Sequence, residues 1–509
     1  MASKKGQERD IFELALLVLL AIIPILIFYT ILHLSGPQWD LSVRILQGRS
    51  LVNFLTHSPS LHMAFGGEAY LGANNMLYYF EPYREPLEIP IFGAMSSLFM
   101  YPALPYIVFI YILSLLALFR LAKTLKIERL ILFAVMINSY VAYFLFVPNG
   151  GESLSVVLAL FGIIYLLEKK ARSGLLFGLA SLAKYPSICL FPLVLLIPDK
   201  KKRTYAILLE LLMVFIWGVL IDYALYGLPF YSYIESIGAA GVASGASAVS
   251  LFALFKVFAY PLLFILMAGA LLLVFKQKFK IKIDYNTKVL FAFAALSLIC
   301  YAIIVPHNDP FTQARYGYLV AVSLLVLAAV ALNNVASVNR NIKYAIAVIS
   351  ICLLVYALWL AYASNNNAGT AYYNSDNANS IYVSAGSALG SVGFGGCKFI
   401  SNAWIPMVYS GYNAYSPFVL YAGNGTVQII QQTTAKFGPG VENFVLSMAR
   451  GQLQVLNASY RAQEERYPIV VFWYTGVPSS LILNLNTSRP AYTSQNLSVY
   501  LPQNATCYH

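Results

Sequence analysis

Charge is scarce in this sequence: Asp, Glu, Lys and Arg together make up 11% of its 509 residues, where a soluble globular protein carries roughly 25%. A water-facing surface over most of the chain is thereby excluded. Histidine and cysteine are sparse too, at five each, and none of their spacings matches a zinc site. These residues imply no certain cofactor; a divalent metal is left open, with no ligand set evident. A cleavable signal peptide is also missing. The basic stretch Met1–Asp10 leads into an apolar run of about twenty residues, longer than a signal-peptide core and without a small-residue cleavage site. That run is expected to remain as the first membrane span.

What fills the chain instead is apolar, with 59% hydrophobic residues. The formal net charge of +12 raises nucleic acid as a partner. However, Lys and Arg lie in short clusters between apolar runs, the pattern by which cytoplasmic loops orient a membrane protein. Membrane lipid, and no nucleic acid, is the expected partner. Cys189, Cys300 and Cys352 fall inside apolar runs and read as small core hydrophobes. Cys397 and Cys507 lie in the polar C-terminal stretch and can pair there if it is oxidised.

Apolar runs able to cross a bilayer need about 20 residues. They begin near Ile11, Leu104, Ile131, Leu154, Tyr205, Leu251, Val289, Tyr318 and Tyr344. Basic clusters mark alternate connections as cytoplasmic: Lys123, Lys126 and Arg129; Lys169, Lys170 and Arg172; Asp199–Arg203; Lys276–Lys282; Arg340 and Lys343. The run Gly174–Ile197 has such clusters on both sides, so it is expected to cross twice as a hairpin of short helices with Lys184-Tyr185-Pro186 at the tip. The fold class is then a polytopic α-helical membrane protein of about eleven spans over residues 1–363. An extracytoplasmic α/β or β-rich domain follows over 364–509. The five sequons, at Asn424, Asn457, Asn486, Asn496 and Asn504, all fall in that domain, in keeping with N-glycosylation on the outer side. Residues 35–101 form a long first outer loop, and its apolar end, Pro86–Met100, reads as a short helix on or in the outer leaflet. Within the C-terminal domain, Lys398–Ser401 and Ile469–Tyr474 read as strands and Val441–Arg450 as helix.

Ionisable groups at the rim of a membrane domain are costly to place there, so each is a candidate for function. Asp40, in Gly36-Pro37-Gln38-Trp39-Asp40, follows the first span; it is suited either to general-base work on a hydroxyl or to capping the helix that follows. Glu152, in Gly151-Glu152-Ser153, is a second candidate carboxylate, with a helix-dipole role as the structural reading. Arg84 and Glu85 either pair with each other or line the approach to the same site. Lys184 has no carboxylate adjacent in sequence and is suited to a lipid phosphate, or to snorkelling among headgroups. His307-Asn308-Asp309-Pro310 with Arg315-Tyr316 offers a further cationic group, which Asp309 can also neutralise. Carboxylates and cations brought to one face are the equipment for moving a group off a phosphate.

These residues carry a resemblance. The stretch from Gly174 through Gly178 to Lys184-Tyr-Pro186 and Leu190-Phe-Pro192-Leu resembles the short hairpin of the C-type (GT-C) membrane glycosyltransferases, which use polyprenyl-phosphate sugars on the extracytoplasmic side. Trp39-Asp40, Gly151-Glu152-Ser153 and Arg315-Tyr316 are similar to family positions in the first outer loop, the second outer loop and a late span. The resemblance implies an inverting transfer of a single sugar from a polyprenyl (dolichyl) phosphate donor to a glycan, lipid or protein acceptor. Asp40 would be the base, and Lys184 and Arg315 would steady the leaving phosphate. Two departures stand out. Asp40 is a lone acid followed by Leu41 and Ser42, so Glu68, Glu81, Glu85 and Glu88 stand as substitutes. The Trp-Trp-Asp signature of the oligosaccharide-transferring relatives is missing, which favours single-sugar transfer.

Two other classes compete. A transporter or lipid flippase would place charge at mid-membrane, whereas the acids of one span, Glu210 and Asp222, read as lying near its ends. A non-catalytic scaffold displaying a glycosylated ectodomain would leave the long first loop without a purpose. The expected location is a plasma membrane of archaeal type or a secretory-pathway membrane, with the site facing outward.

Overall fold

The computed structural model describes residues 2–35, 44–45, 48, 52, 68–71, 77–80, 87–99, 103–137, 151–221, 229–230, 233, 251–274, 284–304, 316–339, 341–367, 385–401, 414–415, 467–472, 489–494 and 497–507. The chain divides into two compact units. The first comprises residues 1–32, 104–216 and 243–367. Its helices are most of α1 (Ala2–Ser35), α3 (Ala103–Leu125), α4 (Arg129–Met136), α5 (Glu152–Leu167), α6 (Arg172–Ala183), α7 (Lys200–Phe215), α8 (Leu251–Val274), α9 (Tyr285–Ile304), α10 (Tyr318–Ala336) and α11 (Asn341–Asn367). A helix α2 (Glu88–Leu98) precedes α3 in the chain and belongs to the second unit.

This is a multi-pass helical membrane protein. Among the described residues, six helical stretches are long and apolar enough to cross a bilayer: Asp10–Ile27, Pro105–Leu125, Lys200–Ile221, Tyr285–Ile303, Tyr318–Ala336 and Asn341–Leu360. Their outward faces carry large exposed hydrophobic side chains, such as Ile11, Leu14, Leu208, Leu211, Leu298 and Trp359. Such faces are costly in water and matched to lipid. The other expected apolar runs contain α4, α5, α6, a 3-10 segment at Tyr185–Leu196 and α8. The best buried of the six is α10, where Tyr318, Ala321, Leu325, Ala329 and Leu332 share one face and join the central core.

Small residues set the spacing between α6 and α7. A Cβ on Gly174 would come within 2.0 Å of the Ala206 carbonyl oxygen, and one on Gly178 within 2.9 Å of Met213 Cβ. The Gly-x-x-x-Gly spacing therefore lets the two backbones touch, as small-residue stripes do in membrane helix pairs. Helix α7 starts cleanly because Asp199 caps it, accepting from the backbone N–H of Lys201 at 2.9 Å and of Lys202 at 3.2 Å.

The second unit comprises residues 33–103, 217–242 and 368–509, so the segment after α1 and the C-terminal region belong together. It holds an antiparallel hairpin, β1 (Glu68–Leu71) with β2 (Leu77–Phe80), and β1 also lies against β4 (Ala414–Tyr415). Helix α2 falls within the run read as a short apolar helix. A five-stranded mixed sheet has the order β4-β3-β5-β7-β6, with β3 (Phe399–Ser401), β5 (Ile469–Phe472), β6 (Tyr492–Thr493) and β7 (Leu497–Tyr500). Strand β3 pairs in parallel with β4 and β5, while β7 pairs antiparallel with β5 and β6. The two runs expected as strands are β3 and β5, both wholly buried. The helix expected at Val441–Arg450 lies outside the described residues. Cys397 and Cys507 form a disulfide across 110 residues, fastening the end of the chain to the start of β3.

Candidate functional site

The site is built around a break between two short helices. Helix α6 ends at Ala183, and Lys184 is extended, with φ −155° and ψ 111°. The chain then resumes as the 3-10 segment, 12 residues long and containing Pro186 and Pro192. Proline has no N–H to donate and disfavours α geometry in the residue before it, so an α-helix cannot run through. A 3-10 stretch longer than three or four residues is uncommon and often marks a functional hinge. The Lys184 N–H still bonds Ala180 O at 2.9 Å, and Ser187 N–H bonds Lys184 O at 2.9 Å, so the break leaves these backbone groups satisfied.

Glu152 approaches this break from α5. It opens that helix, where its charge complements the positive end of the helix dipole. Gly151 makes the entry at φ +84°, a conformation that suits glycine because it has no Cβ. Glu152 Oε1 lies 3.4 Å from Lys184 Nζ, and the two side chains are 1% and 5% exposed. The carboxylate that Lys184 lacks in its own segment thus comes from 32 residues earlier. On the other side, Lys184 Nζ lies 6.0 Å from the ring centre of Tyr316, the outer edge of cation–π range.

Behind the pair runs a chain of hydroxyls. Ser155 Oγ donates to Ala180 O at 3.0 Å and is 2.6 Å from Ser187 Oγ, which is 3.1 Å from Tyr318 OH. These bonds tie α5, α6, the 3-10 segment and α10 to one point, and all three side chains are buried. Cys300 of α9 adds a thiol bond to Pro186 O at 3.2 Å. A buried polar chain that is satisfied along its length specifies one arrangement of the helices it joins.

Of the residues singled out from sequence, the structure brings together Glu152 and Lys184. Asp40, Arg84, Glu85, His307 and Arg315 lie outside the described residues, as do Asn424, Asn457, Asn486 and Asn496. Asn504 sits exposed in a turn. Among the substitute bases, Glu68 opens β1 and Glu88 is buried in the second unit, 3.6 Å from Arg44 Nε. The helix runs from Lys200 to Ile221 and opens on the basic cluster Lys200–Arg203, so Glu210 lies in the first half of its apolar part. It is 3% exposed, and its Oε1 has no hydrogen-bond partner among the described residues.

Sequence reasoning missed Ser155, Ser187 and Tyr318. A signal was present for one of them, since Ser155 lies three residues after Glu152 and so on the same helix face. For Ser187 and Tyr318 the partner is a residue on another helix, which no local pattern reveals. Among the described residues, no three of His, Cys, Asp and Glu gather closely enough to hold a metal ion.

At the far end of α5, about 24 Å away at 1.5 Å per residue, a different cluster forms. Arg120 of α3 grips Glu168 with Nη2 at 2.9 and 3.0 Å and Nε at 3.1 Å, and Lys170 joins at 2.6 Å. Burial raises the Glu168 pKa, but the hydrogen bonds from Arg120 and Lys170 outweigh it and hold the carboxyl below its usual range. Comparison with protein-family models, with curated proteins and with solved structures finds no match to this chain.

Proposed function

We propose that this chain is an integral membrane glycosyltransferase of the C-type layout, which moves a single sugar from a polyprenyl-phosphate donor to an acceptor hydroxyl at the extracytoplasmic face. The observation that carries this reading is the buried Lys184–Glu152 pair at a helix break, at the end of the bundle away from the basic connections. The basic residues around Lys123–Arg129 and Lys169–Arg172 lie near the Arg120–Glu168 end of α5, which the positive-inside rule assigns to the cytoplasm. Lys184 then belongs to the outer half, where a lipid phosphate approaches. The sequons in the C-terminal region and its union with the first loop in one unit support the same orientation.

In this mechanism the donor phosphate competes with Glu152 for the Lys184 ammonium, a compact point charge suited to phosphate oxygens. The acceptor oxygen attacks the anomeric carbon from the face opposite the phosphate. The new C–O bond forms as the bond to the phosphate oxygen breaks, and that electron pair leaves on the phosphate, where Lys184 and Arg315 offset the growing charge. The acceptor proton passes to a carboxylate, Asp40 first, with Glu68, Glu81, Glu85 and Glu88 as substitutes. His307 and Arg84 are the further candidates for binding the lipid-linked donor. Glu152 acts through Lys184 and is a positioning residue.

The test is transfer of radiolabelled sugar from a panel of polyprenyl-phosphate sugars by purified protein in nanodiscs, comparing wild type with Asp40→Asn and Lys184→Met. Transfer by wild type, lost in both folded variants, supports the class and both roles. Turnover surviving Asp40→Asn keeps the class and moves the base to Glu68, Glu81, Glu85, Glu88 or Glu152. Wild type that neither binds nor turns over any lipid-linked sugar sinks the proposal. One observation favours a second reading, a transporter or lipid flippase: Glu210 is a buried carboxyl within an apolar helix, and intramembrane acids mark ion and substrate paths. That reading gains if Glu210→Gln abolishes lipid or ion movement across vesicles while sugar transfer is never seen.

A further inference from the structure

A cavity of about 670 Å³ opens at the basic end of the first unit, lined by Glu13, Lys126, Glu128, Arg129, Asn333 and Lys343 among others. It lies between the start of α1, the turn from α3 to α4, the end of α10 and the start of α11. Its size falls within the roughly 300–1,000 Å³ of small-ligand sites. None of the residues invoked for sugar transfer takes part in it.

The charges divide into two groups. Lys343 is engaged, with Nζ 2.5 Å from Glu13 Oε2 and 3.7 Å from Glu128 Oε2. Asn333 Oδ1 accepts from the Glu128 N–H at 2.9 Å, which fixes the turn against α10. Lys126 and Arg129 are exposed and make no ion pair with any described residue; Arg129 rests 5.7 Å from the ring centre of Phe119. The acids are thus spent on Lys343, and two cations remain for an anion from outside. Lys126 follows α3 at φ +56°, and the Ile127 N–H bonds Ala122 O at 2.9 Å, a helix stop that Lys169 repeats after α5 at φ +57°.

Beside the cavity, the outward face of α1 presents Ile11, Phe12 and Leu14, which are 61%, 49% and 61% exposed. An anion entering here is therefore flanked by a surface suited to acyl chains. Basic pockets between membrane helices at the cytoplasmic side bind anionic headgroups. We propose that this cavity holds the phosphate of an acidic membrane lipid, with Lys126 and Arg129 as its ligands and the acyl chains lying along α1.

The test is native mass spectrometry of the full-length protein titrated with phosphatidylglycerol or phosphatidylcholine. Wild type is expected to retain the acidic lipid preferentially, and Lys126→Ala with Arg129→Ala to lose about 30-fold of that preference, at about tenfold or less per cation. The charge-keeping pair Lys126→Arg with Arg129→Lys should retain it and shows whether the alanine variant fails only by misfolding. Glu13→Gln, which releases Lys343, should strengthen acidic-lipid retention. Equal binding of both lipids by wild type overturns the proposal, and so does an alanine variant that keeps the preference. Displacement of the lipid by low millimolar glycerol phosphate or inorganic phosphate would assign the cavity to a soluble phosphate and overturn the lipid as occupant.

Discussion

The two ends of α5 each carry a carboxylate and a lysine, yet they are built for opposite purposes. At Glu168 the partner is a guanidinium that donates to both carboxylate oxygens at 2.9–3.1 Å, and the side chains are 23% and 35% exposed. At Glu152 the partner is an ammonium at 3.4 Å with both side chains almost wholly buried. The first is a closed, directional clamp of the kind arginine makes. The second is a looser contact in which a point charge can exchange partners. A buried pair adds little stability over an apolar replacement, while removing one member strands a charge. The difference teaches that the clamp holds α3 against α5, whereas the buried pair suits a ligand site.

That comparison can be broken in order of expected effect. Lys184→Met removes the ammonium that lies 3.4 Å from the buried Glu152 carboxylate, and should cost about 3–5 kcal/mol in thermal unfolding. Lys184→Met with Glu152→Leu should recover most of that stability, and under the proposed function it should still be inactive in sugar transfer. A double variant no more stable than the single would show that the pair is structural. Next, Gly174→Val forces a Cβ onto the Ala206 carbonyl, and should cost about 1–3 kcal/mol by overpacking. Trypsin sensitivity of the α6–α7 connection would rise with it.

Tyr318→Phe removes the last hydroxyl behind the buried pair and should cost about 1–1.5 kcal/mol. If the hydroxyl chain also fixes Lys184, donor KM rises in this variant with kcat little changed. The smallest effect belongs to the clamp. Arg120→Ala should cost under about 1 kcal/mol because the pair is partly solvated. Its signature is in pH. The Glu168 pKa is lowered on folding, so its stabilisation is present above the unfolded carboxylate pKa and is lost as pH falls through the lower folded value. The acid limb of the unfolding curve should move to higher pH in Arg120→Ala, and an unmoved limb would show that Arg120 does not set it.

Much of the membrane layout was legible in the sequence because it depends on local composition. Runs of about 20 apolar residues and the basic clusters between them set the long helices, and Pro186 after Lys184-Tyr185 announced the broken hairpin. The paired strands Phe399–Ser401 and Ile469–Phe472 were legible from their apolar, β-branched character. The close α6–α7 contact at Gly174 and Gly178 was not read from the sequence, because the partners Ala206 and Met213 lie on another helix. The burial of Glu210 was not legible, because it depends on which face of its helix packs against the bundle.

What the sequence by itself determined is therefore that the chain lives in a bilayer, which connections carry the positive charge, and where the hairpin breaks. These follow from hydrophobicity and backbone chemistry, both of which act within a few residues. Only the tertiary structure decided that Glu152 answers Lys184, that Ser155, Ser187 and Tyr318 close ranks behind them, that Lys343 takes up the acids at the basic end, and that the segment after α1 belongs with the C-terminal region. Each joins residues tens to hundreds of positions apart. Such contacts arise from helices packing face to face, where an unpaired buried polar group is costly and partners across the interface are favoured.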